Sequence, residues 1–311
     1  MPLGSGESRQ GLTYTLGAFA IWGLVLPIFM KLLAHVSPVE VVVHRIIWAL
    51  PFAVALLLWQ GSLSHALSHF RNARTVALAA LTATLISLNW GTFVYAIGAG
   101  RAVEAALGYY INPLVNVALA AIFLGERPTR LQSVAITLAV IGVGVMTAKA
   151  GGLPWISLVL ALTFGTYGLL RKMVPVGASE GFFLEVALLS IPSLIAILFF
   201  VPDVHFLSNG LETTLLLVAG PLTAIPLILY AAGARLLDYT TVGILQYLVP
   251  TLLAVTAVFL FGEPFNHWQF VAFAFIWTAL GIYTWSLLNG QRRRRRAPGI
   301  ASVEAVEAPP R

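Results

Sequence analysis

The sequence is a nearly unbroken series of apolar segments, near residues 12–33, 39–59, 76–99, 102–124, 131–148, 153–170, 180–201, 213–234, 241–261 and 267–288. Each approaches the roughly 20 residues that a helix needs to cross a hydrocarbon layer about 30 Å thick. No water reaches backbone N–H and C=O groups there, so each segment must close its own hydrogen bonds as a helix. The expected fold is an all-α integral membrane bundle of ten transmembrane helices. The two longest connections, 60–74 and 202–212, are too short for a soluble domain. Only 10% of residues are charged, against roughly 25% in a soluble domain, which would have no polar surface at this composition. The first segment is longer than a signal-peptide core and lacks a small-residue cleavage site, so it is read as an uncleaved span.

Orientation follows from Lys and Arg counted in alternate loops. With the N-terminus inside, the inner side collects Arg9, Arg71, Arg74, Arg127, Arg130, Arg171, Lys172, Arg235 and the run Arg292–Arg296. The outer side collects Lys31, Arg101 and Lys149, so the division is 13 against 3. A missed or invented span would scramble that asymmetry. The expectation is a multi-pass inner-membrane protein with both termini cytoplasmic: residues 1–10 an N-terminal extension, 11–148 and 149–290 two five-helix units, and 291–311 a basic, disordered tail.

Several function classes drop out. Cysteine is absent, which removes disulfides, thiolate metal sites and cysteine nucleophiles. The formal charge of +6 owes five units to the arginine run after the last apolar segment, where it is an anchor against anionic lipid rather than a nucleic-acid site. No GxxxxGK[ST] loop is present, so nucleotide hydrolysis by that route is excluded, and no HExxH metal motif occurs. His65 and His69 stand at i, i+4 in a polar loop without the glutamate that such a motif needs. No cofactor or metal is expected. The partners expected are a small solute, the lipid bilayer and, as an open alternative, protons, for a monomer or homodimer.

The chain also repeats itself. Tyr110, Pro113, Gly125, Glu126 and Gln132 match Tyr247, Pro250, Gly262, Glu263 and Gln269 at a constant separation of 137. Weaker echoes relate Trp22-Gly23 to Phe164-Gly165, Glu40 to Glu180 and Tyr95 to Tyr230. Helices one to five thus correspond to six to ten. Five is odd, so the second copy enters from the opposite side, and inverted repeats of this kind are typical of secondary transporters whose substrate sits between the halves. Duplication can also build a plain scaffold, and a membrane enzyme is a further alternative.

The repeated LGE and FGE after the fourth and ninth segments, with AFAIWG, EVVVHR, LGYYINPLVN and LQYLVPT, resemble the EamA branch of the drug/metabolite transporter superfamily. Within it the chain is most similar to the RarD permeases, from about Gly11 to Leu288. The resemblance implies a bacterial inner-membrane permease on a 5+5 inverted-repeat plan, with a central cavity lined mainly by helices one, three, four, six, eight and nine.

Polar groups inside the bilayer cost at least about 2.5–3.5 kcal/mol when charged, so each asks for a reason. Glu40, His44 and Arg45 open the second segment, Glu40 and His44 sharing a face at i, i+4. They form either an interfacial ion pair or an anion-attracting, proton-linked site. Glu185, two turns into the seventh segment, falls opposite Arg45 under the repeat and is either a proton carrier or a partner for a neighbouring helix. Tyr109, Asn112 and Asn116 recur at i, i+3, i+7 as one polar stripe on the fourth segment, with Gln246 and Tyr247 leading its counterpart. Pro113 and Pro250 each remove a helix hydrogen bond beside those stripes. Trp22, Asn89, Trp90 and Tyr167 complete the expected substrate-binding cavity. Glu126 and Glu263 close their helices at the boundary, as structural or gating groups.

Overall fold

The computed structural model describes residues 5–123, 128–149, 153–234, 236–237, 242 and 245–296. All regular structure among them is helical. α1 (Ser5–Ala20) passes through one π-helical turn (Ile21–Val25) into α2 (Leu26–Leu32); then come α3 (Pro38–Trp59), the short α4 (Leu63–Ser68) with a 3₁₀ turn (His69–Arg71), α5 (Ala73–Gly98) and α6 (Ala102–Phe123). α7 (Arg130–Lys149), α8 (Trp155–Met173), α9 (Ala178–Phe200) and α10 (Gly210–Ala234) follow. α11 (Leu248–Val255) continues into a second π-helical turn (Thr256–Leu260), and α12 (His267–Arg296) ends the described chain.

Among the described residues, eight helical stretches are long and apolar enough to span: Arg9–Leu32, Pro38–Trp59, Ala73–Gly98, Ala102–Phe123, Arg130–Ala148, Ala178–Phe200, Gly210–Tyr230 and His267–Ser286. The expected sixth and ninth spans correspond to shorter apolar helices, Trp155–Arg171 and Leu248–Leu260. For the sixth the reason is local, since Arg171 and Lys172 end its apolar run. Residues 238–241 and 243–244, on the N-terminal side of the ninth, lie outside the described residues. The start of the basic tail also differs from expectation. Helix begins at Ser5, inside the expected N-terminal extension, and continues through the arginine run to Arg296. Arginine is a strong helix former, and cations at a helix C-terminus are favoured by its dipole.

Side chains fix several helix starts. Asn72 Oδ1 accepts from Thr75 N at 3.1 Å at the head of α5. At α7, Gln132 Oε1 accepts from Thr129 N (2.8 Å) while Thr129 Oγ1 accepts from Gln132 N (3.3 Å). At α12, Asn266 and Gln269 make the same reciprocal pair at 2.8 Å each way. Both are capping boxes, which gives the match of Gln132 with Gln269 a physical reason.

Packing runs mostly between the two parts of the chain. α7 lies on α12, α6 on α8 and α11, α5 on α8 and α9, α3 on α9 and α10, and α1 on α10; the first π-helical turn meets α11. Glycines set the closest approaches. A Cβ on Gly23 would stand 2.8 Å from Val249 O and Leu252 Cβ, and one on Gly165 2.9 Å from Val115 Cγ1. Without a hydrophobic force between helices in lipid, such close backbone contact is how they hold together. The exterior is apolar, with Leu198, Phe199 and Phe259 each 77–83% exposed, a surface made for acyl chains rather than water.

Candidate functional site

Two polar clusters lie inside the bundle. The first centres on Arg45, on α3 about two turns from Pro38. Its Nε donates to Thr223 Oγ1 of α10 at 3.1 Å, and Thr223 is in turn anchored to Ala219 O. Its guanidinium lies 4.8 Å above the Trp90 ring. The side chain is buried, yet Nη1 has no hydrogen-bond partner, and among the described residues no carboxylate comes within 4 Å of it. Beside Trp90 on α5, Asn89 donates to Leu160 O and Thr163 Oγ1 (3.0 Å each) on α8 and accepts from Tyr109 OH of α6 at 3.2 Å. One turn along α6, Asn112 is buried with its Oδ1 unpartnered. Arg45 and Trp90, with Asn89 and Tyr109, thus form a polar centre with an unsatisfied donor, and Asn112, one turn from Tyr109, carries an unsatisfied acceptor.

The second cluster centres on Glu185 of α9. One carboxylate oxygen accepts from Thr82 Oγ1 of α5 (2.9 Å) and lies 3.4 Å from Arg171 Nε; the other accepts from Tyr167 OH at 3.2 Å. Arg171 also donates to the carbonyls of Gly177 and Ala178, 3.1 Å each, and its guanidinium lies directly over Gly181.

Other expected residues fall elsewhere. Glu40 does not pair with His44: it is fully buried and grips the loop before α10, accepting from His205 N (2.8 Å), Phe206 N (2.9 Å) and His205 Nδ1 (3.1 Å). His44 Nδ1 accepts from Trp48 Nε1 at 2.9 Å, and the imidazole stacks 4.6 Å from Phe206. Trp22, inside the first π-helical turn, joins Phe19 and Tyr230 in an aromatic cluster with centroids 5.7–6.1 Å apart. Asn116 is exposed, and a Cβ at Gly165 would meet its Oδ1 at 3.2 Å. Pro113 lies within the continuous α6. Pro250 cannot donate to the Gln246 carbonyl, and Val249 N takes it at 3.2 Å instead. Tyr247, with Tyr110, Thr251 and Trp277, lines a cleft of about 490 Å³. Glu126 lies outside the described residues.

Three features were not legible beforehand because they join residues far apart in sequence. Glu263 accepts from Ala102 N (2.8 Å) and Val103 N (2.9 Å), so it caps α6. The positive φ of Gly262 (67°) turns the chain back to reach it, the conformation favoured after a helix end. His35 Nε2 meets Glu212 Oε1 at 2.9 Å. His65 and His69 converge on Glu180.

A helical membrane bundle with a desolvated polar centre is the architecture of a transport protein, and the comparisons with known proteins agree. Residues 9–148 match the EamA-like transporter family. Relatives extend the likeness to the whole chain. An uncharacterized transporter, PA0485, of Pseudomonas aeruginosa is 41% identical over 94% of this chain and 98% of its own. Protein RarD of Streptomyces exfoliatus is 38% identical over 98% of both chains, and protein RarD of Escherichia coli 39% identical over 92% of this chain and 98% of its own. One solved crystal structure shares the fold, with a TM-score of 0.58 and 20% identity over 95% of this chain and 99% of that one. The chain belongs to the EamA-like transporter family and is a multi-pass membrane transporter. Within the family it is RarD-like.

Proposed function

We propose that the chain is a secondary transporter of ten helices in two inverted five-helix halves, exporting or exchanging a small polar or amphipathic metabolite or drug by alternating access. It works in the bacterial inner membrane with both termini cytoplasmic, as a monomer or homodimer. Arg45 carries the reading. A buried cation costs several kcal/mol unless it is paired, and this one keeps Nη1 unpartnered in the bundle interior. A carboxylate, phosphate or strong acceptor on the solute supplies the missing partner, Trp90 and Tyr109 offer aromatic walls, and Asn112 Oδ1 takes a donor from the same molecule.

The packing supports the inverted halves. If helices one to five correspond to six to ten, the contact of α1 with α10 maps onto that of α8 with α5, α3 with α10 onto α9 with α5, and α6 with α8 onto α11 with the first π-helical turn. Three further pairs, α3 with α9, α6 with α11 and α7 with α12, map onto themselves. Gly23 and Gly165, matched in the repeat, meet Leu252 and Val115, which are also matched. Two equivalent halves give two equivalent states, one open to each side.

Reconstitution into liposomes tests the proposal, using solute counterflow across a panel of anionic, zwitterionic and neutral metabolites. Chloramphenicol joins the panel because one Pseudomonas aeruginosa relative is named a chloramphenicol-sensitive RarD protein. At least one acceptor-bearing solute is expected to exchange, with the rate lost in Arg45→Met and partly kept in Arg45→Lys. Full exchange by Arg45→Met would contradict the reading. An imposed pH gradient asks whether a proton accompanies the solute, with Glu185 the proposed carrier; transport and pH dependence unchanged in Glu185→Gln would remove it from that role.

A further inference from the structure

We propose that His65, His69 and Glu180 form a three-ligand site for a zinc-class divalent ion on the loop face of the bundle. His65 and His69 stand one turn apart where α4 passes into its 3₁₀ turn, with ring centroids 4.7 Å apart. Glu180 reaches them from the first turn of α9, more than 110 residues on. Each imidazole aims one nitrogen at a different carboxylate oxygen: His65 Nδ1 at Oε1 (2.7 Å) and His69 Nε2 at Oε2 (3.3 Å). The three ligand atoms lie within 4.8 Å of one another, close enough for a single ion with bonds of about 2.0–2.2 Å. Two imidazoles and one carboxylate are a borderline-soft donor set that suits zinc better than magnesium or calcium.

The site is supported from behind and open in front. Glu180 Oε2 also accepts from Gly177 N at 3.1 Å, which fixes the orientation of the carboxylate as a ligating group needs. A cleft of about 550 Å³ bordered by Trp59, Gln60 and Ser62 adjoins Glu180. His69 and Glu180 are mostly enclosed, at 15% and 13% side-chain exposure, while His65 is 67% exposed and gives the ion a way in. A bound ion ties the connection between α3 and α5 to the head of α9, independently of the solute site around Arg45.

Zinc titration of the full-length protein tests the proposal. The protein is purified in detergent without a histidine tag, stripped with a chelator and titrated against a competing zinc dye. One zinc per chain is expected, with affinity falling at least about tenfold in His69→Ala and Glu180→Gln and unchanged in His35→Ala. Zinc should also slow hydrogen exchange over residues 63–72 in the wild type and not in His65→Gln, an exposed change that spares the fold. Substoichiometric binding, or unchanged affinity in His65→Gln/His69→Ala, would overturn the site.

Discussion

Arg45 and Glu185 each stand about two turns into their helices, α3 and α9, and the bundle treats them in opposite ways. Glu185 is met by Thr82, Tyr167 and Arg171, so its charge and lone pairs are answered from two neighbouring helices. Arg45 is met by one hydroxyl and one ring face, and its Nη1 is left over. Protein interiors rarely leave a buried donor unpaired, because its full desolvation cost then goes uncompensated. The difference teaches that two charges placed alike along their helices can be put to two uses. The Glu185 cluster ties helices together around the proposed proton carrier, whereas the Arg45 cluster leaves half of an interaction open. On the present account a solute supplies the other half.

That contrast can be broken by substitution. The largest effect is expected from Glu185→Ala, which strands Arg171: losing one partner of a buried pair costs about 3–5 kcal/mol, read as a clear fall in melting temperature in detergent. Arg45→Met should behave oppositely, holding or raising the melting temperature while solute exchange falls about 10- to 100-fold, the worth of one charged hydrogen bond at about 1.5–3 kcal/mol. If both variants destabilise equally, the two clusters are alike and the contrast fails. Gly181→Ala sharpens the first result without changing charge. Its Cβ would collide with the Arg171 guanidinium, which must shift away at about 1–3 kcal/mol, and the melting temperature should move in the same direction as in Glu185→Ala. Trp90→Leu is the mildest test, removing a cation–π contact of up to about 2 kcal/mol and slowing exchange severalfold with little change in stability.

The membrane bundle was legible because lipid leaves the backbone few choices, so segment length and polarity alone announce most of the helices. The repeat was legible for a similar reason: Gln132 and Gln269 recur since each closes a local capping box, complete within four residues. The site was legible only in outline. Asn89, Trp90, Tyr109 and Arg45 come together, but Asn116, on the same helical stripe, is exposed while Asn112 is buried. Periodicity identifies a helix face without saying which neighbour covers each end of it. Spacing also placed Glu40 with His44, whereas burial and three donors from the loop at His205 and Phe206 decided otherwise. Long-range partners of this kind, like Glu263 at the head of α6, depend on how helices pack and leave no trace in local sequence.

The central claim is that the polar centre faces each side of the membrane in turn. Because the chain has no cysteine, Asn112→Cys provides a single thiol one turn from Tyr109. In sealed vesicles, a membrane-impermeant maleimide should label it when added from either side, and a transported solute should protect it from both. Labelling from one side only, or from neither, in a variant that still exchanges solute would contradict the account.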